Sequence, residues 1–118
     1  MYTITKEFAF SASHQLNHLP TTHPCSRVHG HNYVIKVELR STKLNKNDFV
    51  RDYRELDGLK IYLDDVLDHR HLNEIMLLPP TAENIAKYLF DMFITPIPEL
   101  YAVEVSETPK TNCRYERS

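Results

Sequence analysis

Apolar and polar residues alternate with a period of two at the start of the chain. Tyr2, Ile4, Phe8, Phe10, Ala12 and His14 share one parity, and Thr3, Thr5, Glu7, Ser11 and Ser13 share the other. That period predicts a half-buried strand. From about His29 to Arg40 the alternation returns more clearly. His29, His31, Tyr33, Ile35, Val37 and Leu39 face one way, and Asn32, Lys36, Glu38 and Arg40 the other. The stretch between, NHLPTTHPCSRV, carries two prolines and reads as a loop.

The period then lengthens. Tyr53, Leu56, Leu59, Leu63, Val66 and Leu67 fall on one side of a helix that begins at Asp52. Asp52 and Glu55 have the spacing of a capping box. Gly58 lies inside this run and costs roughly 1 kcal/mol relative to alanine. After the loop DHRHLNEIMLLPP, Thr81 is the expected N-cap of a second helix with Ile85, Tyr88, Leu89, Met92 and Phe93 as its apolar stripe. Beyond Pro96 and Pro98, Tyr101, Val103 and Val105 alternate again, with Glu107 on the same parity. A turn at Thr108–Lys110 and a last strand over Thr111–Arg117 complete the pattern. The order ββααββ predicts an α+β domain: an antiparallel sheet with both helices on one face. So small a sheet has open edges, and such edges are usually covered or paired by another subunit. A homo-oligomer is expected.

Composition narrows the class. With 118 residues and 13.9 kDa, the chain makes one domain over 1–118. An apolar fraction of 42% and a charged fraction of 25% suit a soluble globular chain. The longest apolar run, Ile75–Leu78, is too short to cross a bilayer. The opening MYTITKEFAF lacks the basic start and apolar stretch of a signal peptide. A formal charge of −2 argues against nucleic acid as a partner. Cys25 and Cys113 are expected as free thiols in a cytoplasmic protein.

The unusual feature is histidine: five of the seven lie between His14 and His31. His29 and His31 flank Gly30 in a strand, so both rings project to one face. Gly30 leaves the other face empty, which suits a close approach or a bulge. His14 is on the apolar parity of the preceding strand. If the two strands pair, three imidazoles converge, and three neutral histidines are a recurring ligand set for catalytic Zn²⁺. A hydrogen-bonded core histidine is the plainer alternative for any one of them.

Cys25 lies four residues before His29 and has three readings. It is a fourth zinc ligand closing a structural site, a thiolate acting beside the metal, or a small buried hydrophobe. Asp68-His69 has the composition of a carboxylate that orients an imidazole, which in turn activates a thiol. A solvated loop at a helix end explains the same dipeptide. Glu107 ends an apolar strand on its inward parity, where a carboxylate is paired or serves a ligand; a charged strand end in water is the alternative.

The segments FAFSASHQL, CSRVHGHNYVIKVEL, FVRDYRELDGLK, LDHRHLNE, PPTAENIAKYLF and VEVSETP run nearly end to end. In this order and at this spacing they resemble the 6-pyruvoyl-tetrahydropterin synthase family. The closest likeness is to its bacterial branch, the 6-carboxy-tetrahydropterin synthases of the queuosine pathway. The resemblance implies the tunnelling fold (T-fold), in which trimers form a barrel of strands and two trimers stack into a homohexamer with active sites between subunits. It implies one Zn²⁺ per subunit on His14, His29 and His31. It implies Cys25 as the catalytic cysteine, Asp68 and His69 as the pair that activates it, and Glu107 as the anchor of the pterin ring.

The implied reaction is that of a zinc-dependent lyase. It converts 7,8-dihydroneopterin triphosphate to 6-carboxy-tetrahydropterin with release of acetaldehyde and triphosphate. The spacing Cys-x₃-His-Gly-His resembles the carboxy-forming branch. A third branch replaces the cysteine by a glutamate, and no acidic residue stands between Cys25 and His29. Thr108 is a candidate hydroxyl contact beside Glu107. Arg27 and Lys6 are candidate triphosphate cations, with ordinary surface roles the plainer reading for Lys6. Two alternatives stay open: pyruvoyl-forming activity on the same substrate, and a non-catalytic zinc-stabilised oligomeric module.

Overall fold

The computed structural model of the chain describes residues 1–118. Two long strands, β1 (Tyr2–His14) and β2 (His29–Ser41), form the first half. The helical layer follows, and then β3 (Leu100–Ser106) and β4 (Cys113–Glu116). The sheet has four antiparallel strands in the order β1-β2-β3-β4. No helix is long and apolar enough to cross a membrane.

The alternation read from the sequence sets the two faces. Phe8, Phe10, Ala12 and His14 of β1, and Tyr33, Ile35, Val37 and Leu39 of β2, are buried beneath the helical layer. Phe10 and Tyr33 are paired in register and stack at 4.9 Å between ring centroids. The opposite face carries charge. Glu38, buried on that side, accepts from the two terminal guanidinium nitrogens of Arg114 at 3.0 and 3.1 Å and from Arg40 Nε at 2.8 Å. Arg114 holds the Glu38 carboxyl below its usual range, and Arg40 adds to this.

One inward assignment is corrected. Tyr101 was expected to face the core with Val103 and Val105. The ladder slips at Glu38/Leu39: Glu38 pairs with Ala102 but Leu39 pairs with Leu100. Tyr101 is thereby left as the extra residue of a bulge, which re-aims its side chain. Its ring lies under the Arg40 guanidinium at 3.7 Å, a cation–π contact. Leu100 takes the core position instead.

The first helical segment is not one regular helix. It runs as a 3₁₀ turn (Tyr53–Leu56), a short helix α1 (Asp57–Tyr62) and a π turn (Leu63–Leu67). The Asp52 side chain caps it by accepting from the Arg54 amide, but Glu55 pairs with Arg51, so the reciprocal capping box does not form. Leu56, Leu59, Leu63 and Leu67 are nonetheless buried as the pattern requires. The helix α2 (Ala82–Phe93) starts where Thr81 caps it, its hydroxyl accepting from the Asn84 amide at 3.1 Å. Ile85 and Leu89 are buried as expected, joined by Ala82, Ala86 and Phe90, whereas Met92 is exposed. The π turn lies over β1, and α2 lies over β3 and β4.

Candidate metal centre

The β1–β2 register sets His14 directly opposite His29 and Ala12 opposite His31. The three imidazoles therefore meet on the buried face at the end of the sheet. One nitrogen of each lies within 4.8 Å of the others, and the ring pairs stand edge-on. Gly30, between the two β2 histidines, serves close approach rather than a bulge: a Cβ there would stand 3.3 Å from the Ala12 carbonyl oxygen.

The outer nitrogens decide what the inner ones can do. His14 Nδ1 lies 2.7 Å from the Pro80 carbonyl oxygen, and His29 Nδ1 lies 2.8 Å from that of Arg27. A carbonyl only accepts, so each Nδ1 carries the proton and donates it. In the neutral rings both Nε2 atoms then present bare lone pairs, and these face one another at 2.8 Å. Two lone pairs at that distance repel unless a cation lies between them. Burial holds His14 below the ordinary imidazole range, although its bond to Pro80 opposes this. His14 and His29 thus fit a divalent metal, each offering an Nε2 lone pair whose tautomer is set by a backbone carbonyl on Nδ1, and His31 adds a third nitrogen. Pro80 is placed for its part by the Thr81 cap of α2, and Arg27 by the 3₁₀ turn Pro24–Ser26 before it. Neither carbonyl was foreseen, because backbone acceptors leave no mark on sequence pattern. Tyr33, fully buried, sets its hydroxyl 3.2 Å from His14 Nδ1.

Glu107 joins this group. Its Oε2 lies 3.0 Å from His31 Nε2 and 3.5 Å from His14 Nε2. With Thr108, Asn32 and Ser106 it also lines a hollow of about 500 Å³. Thr108 Oγ1 is engaged locally, with Thr111 Oγ1 and the Lys110 amide.

Asp68 and His69 are built as a pair. The π turn delivers the Asp68 amide to the Leu63 carbonyl. Asp68 Oδ1 then accepts from the Ser11 amide at 2.8 Å, and Oδ2 accepts from His69 Nδ1 at 2.7 Å. These bonds, the Ser11 amide first, hold the Asp68 carboxyl below its usual range. His69 adopts a left-handed backbone, φ 59°, which costs about 1 kcal/mol for a non-glycine residue. The conformation is held by its amide, which donates to the Ser11 carbonyl, while the Ser13 amide donates to Arg70. Residues 69–71 thus line the outer edge of β1. A second hollow, about 430 Å³, lies among Ser11, Ser13, His31, Asn32 and His69–His71. Asn32, Arg70 and His71 were not singled out from sequence. Asn32, next to His31 on the polar parity, was the one with a signal.

Cys25 sits in the 3₁₀ turn, half-buried, its amide bonded to His23 Nδ1 and its carbonyl to the Leu16 amide. It lies outside the cluster of mutually close metal-ligating atoms. No hydrogen bond joins it to Asp68 or His69 within the chain, and the His69 side chain is 83% exposed. Arg27 is exposed and contributes its carbonyl to His29. Lys6 stands eight residues from His14 along one strand, roughly 27 Å away at ordinary strand rise. A separate apolar groove between residues 75–78 and α2, about 350 Å³, holds none of these residues.

The model of the family described as 6-pyruvoyl tetrahydropterin synthase matches residues 3–118. The chain is 37% identical over 125 residues to a 6-carboxy-5,6,7,8-tetrahydropterin synthase of Synechocystis, covering 98% of this chain and 93% of that one. It is 27% identical to the Bacillus subtilis protein of the same description, over 97% and 84% of the two chains. Among solved structures, the 6-pyruvoyl tetrahydropterin synthase of Caenorhabditis elegans superposes with a TM-score of 0.86 at 30% identity, covering 99% and 96%.

Proposed function

The chain belongs to the 6-pyruvoyl tetrahydropterin synthase family, and on that premise we propose that it is a zinc-dependent lyase acting on 7,8-dihydroneopterin triphosphate. With one water consumed, the products are 6-carboxy-tetrahydropterin, acetaldehyde and triphosphate. The observation that carries this reading is the convergence of three imidazoles, two of them with tautomers set by backbone carbonyls, beside a carboxylate and two polar hollows.

His14, His29 and His31 would hold the Zn²⁺. Bound there, the ion supplies Lewis-acid polarisation of a substrate side-chain oxygen. Glu107 accepts N–H bonds from the amino-pyrimidine edge of the pterin and fixes the ring, with Thr108 beside it. The Cys25 thiolate moves the proton at the side-chain carbon. Asp68 keeps the proton of His69 on Nδ1, which leaves Nε2 free to take up or return one. The exposed His69 and the separate Cys25 turn suit a site completed by a neighbouring subunit, as in a homohexamer built from two trimers. Arg27, beside the cysteine turn, suits the triphosphate better than Lys6 does. A cytoplasmic setting suits free thiols.

Incubation of the zinc-loaded protein with 7,8-dihydroneopterin triphosphate tests the proposal. Acetaldehyde and triphosphate released in equal amounts support it. Triphosphate without acetaldehyde assigns the pyruvoyl-forming reaction instead. Release of neither refutes the enzymatic reading.

A further inference from the structure

We propose that Glu107 is a fourth protein ligand of the metal when no substrate is present. This rests on the three-histidine site above and adds a residue to it. Two atoms bound at 2.0–2.1 Å to one tetrahedral ion stand roughly 3.3 Å apart. Glu107 Oε2 lies 3.0 Å from His31 Nε2 and 3.5 Å from His14 Nε2, spacings that bracket this value. The competing account is a plain hydrogen bond in which His31 Nε2–H, of the neutral or the charged ring, donates to the Glu107 carboxylate. A proton on His31 would satisfy that contact alone. It leaves the His14 lone pair facing both the same carboxylate oxygen and His29 Nε2 at 2.8 Å. His14 cannot supply a proton there in its neutral form, because its Nδ1–H is committed to Pro80. A single shared cation, with the rings drawn in from their 4.8 Å spread and Glu107 drawn in beside them, satisfies all of these acceptors together.

Glu107 is also placed to leave. It lies just past the end of β3, its side chain is 26% exposed, and it lines the 500 Å³ hollow. A pterin entering that hollow offers N–H donors to the carboxylate and an oxygen to the ion. The carboxylate would then pass from the metal to the ring, and the coordination position would pass to the substrate. The metal site is thus closed until the correct molecule arrives.

The test uses Co²⁺ alone, added to the full-length metal-free protein and followed by visible absorption. Glu107→Ala is expected to bind Co²⁺ about tenfold more weakly or worse and to show an altered spectrum. Added acetate should return that spectrum towards the wild-type form, while leaving the wild-type spectrum unchanged because its position is filled. Glu107→Gln, close in shape, serves the same comparison if the alanine variant does not fold. The proposal is overturned if wild type and variant share one spectrum, or if acetate perturbs both alike. Failure of the wild-type protein to take up Co²⁺ would overturn the three-histidine site itself along with it.

Discussion

The Ser11 amide donates to Asp68 Oδ1 at 2.8 Å across 57 residues of sequence. That bond fastens the loop carrying His69 to the strand that carries His14. With the His69 amide on the Ser11 carbonyl and the Ser13 amide on the Arg70 carbonyl, it links the two chemical groups of the chain, and it depends on the π turn that ends at Leu67.

Asp68→Ala removes the acceptor of the Ser11 amide and the group that fixes the His69 ring. Turnover is expected to fall at least a hundredfold while metal content stays near that of the wild type. Metal analysis beside the acetaldehyde assay checks this. Unchanged turnover would remove the pair from the mechanism.

Cys25→Ala separates a thiolate base from a fourth sulfur ligand. Cys25 lies outside the histidine cluster, so about one zinc per chain should remain and turnover should be lost. Loss of metal and of thermal stability together would assign a closed structural site instead.

The Glu38–Arg114 pair predicts an acid-side loss of stability. Arg114 lowers the folded-state pKa of Glu38 from 4.5. The contribution is therefore complete above pH 4.5 and fades as pH falls through the lowered value. Glu38→Gln should cost about 2 kcal/mol at neutral pH and flatten the acid limb of a urea-midpoint titration. The same acid limb in both proteins would contradict the assignment.

Much of this architecture was legible because the alternating residues bury one face. Strands β1 and β2 and the Thr81 cap lie where the pattern put them, and the three histidines follow from strand parity plus register. Three features were hidden. The slip that expels Tyr101 depends on the ladder with β2, not on β3 itself. The π turn before Asp68 preserves the leucine spacing of an ordinary helix, so periodicity cannot distinguish them. The pairing of Glu107 with His31 and His14 was hidden for a similar reason: parity points a carboxylate inward but does not say what it meets.

The most direct test of the account is anomalous diffraction at the zinc edge from crystals of the purified, zinc-loaded protein. The account predicts one peak per chain, about 2.0–2.1 Å from a nitrogen of each of His14, His29 and His31. A map with no peak there, or with the three rings turned away from one another, would contradict it.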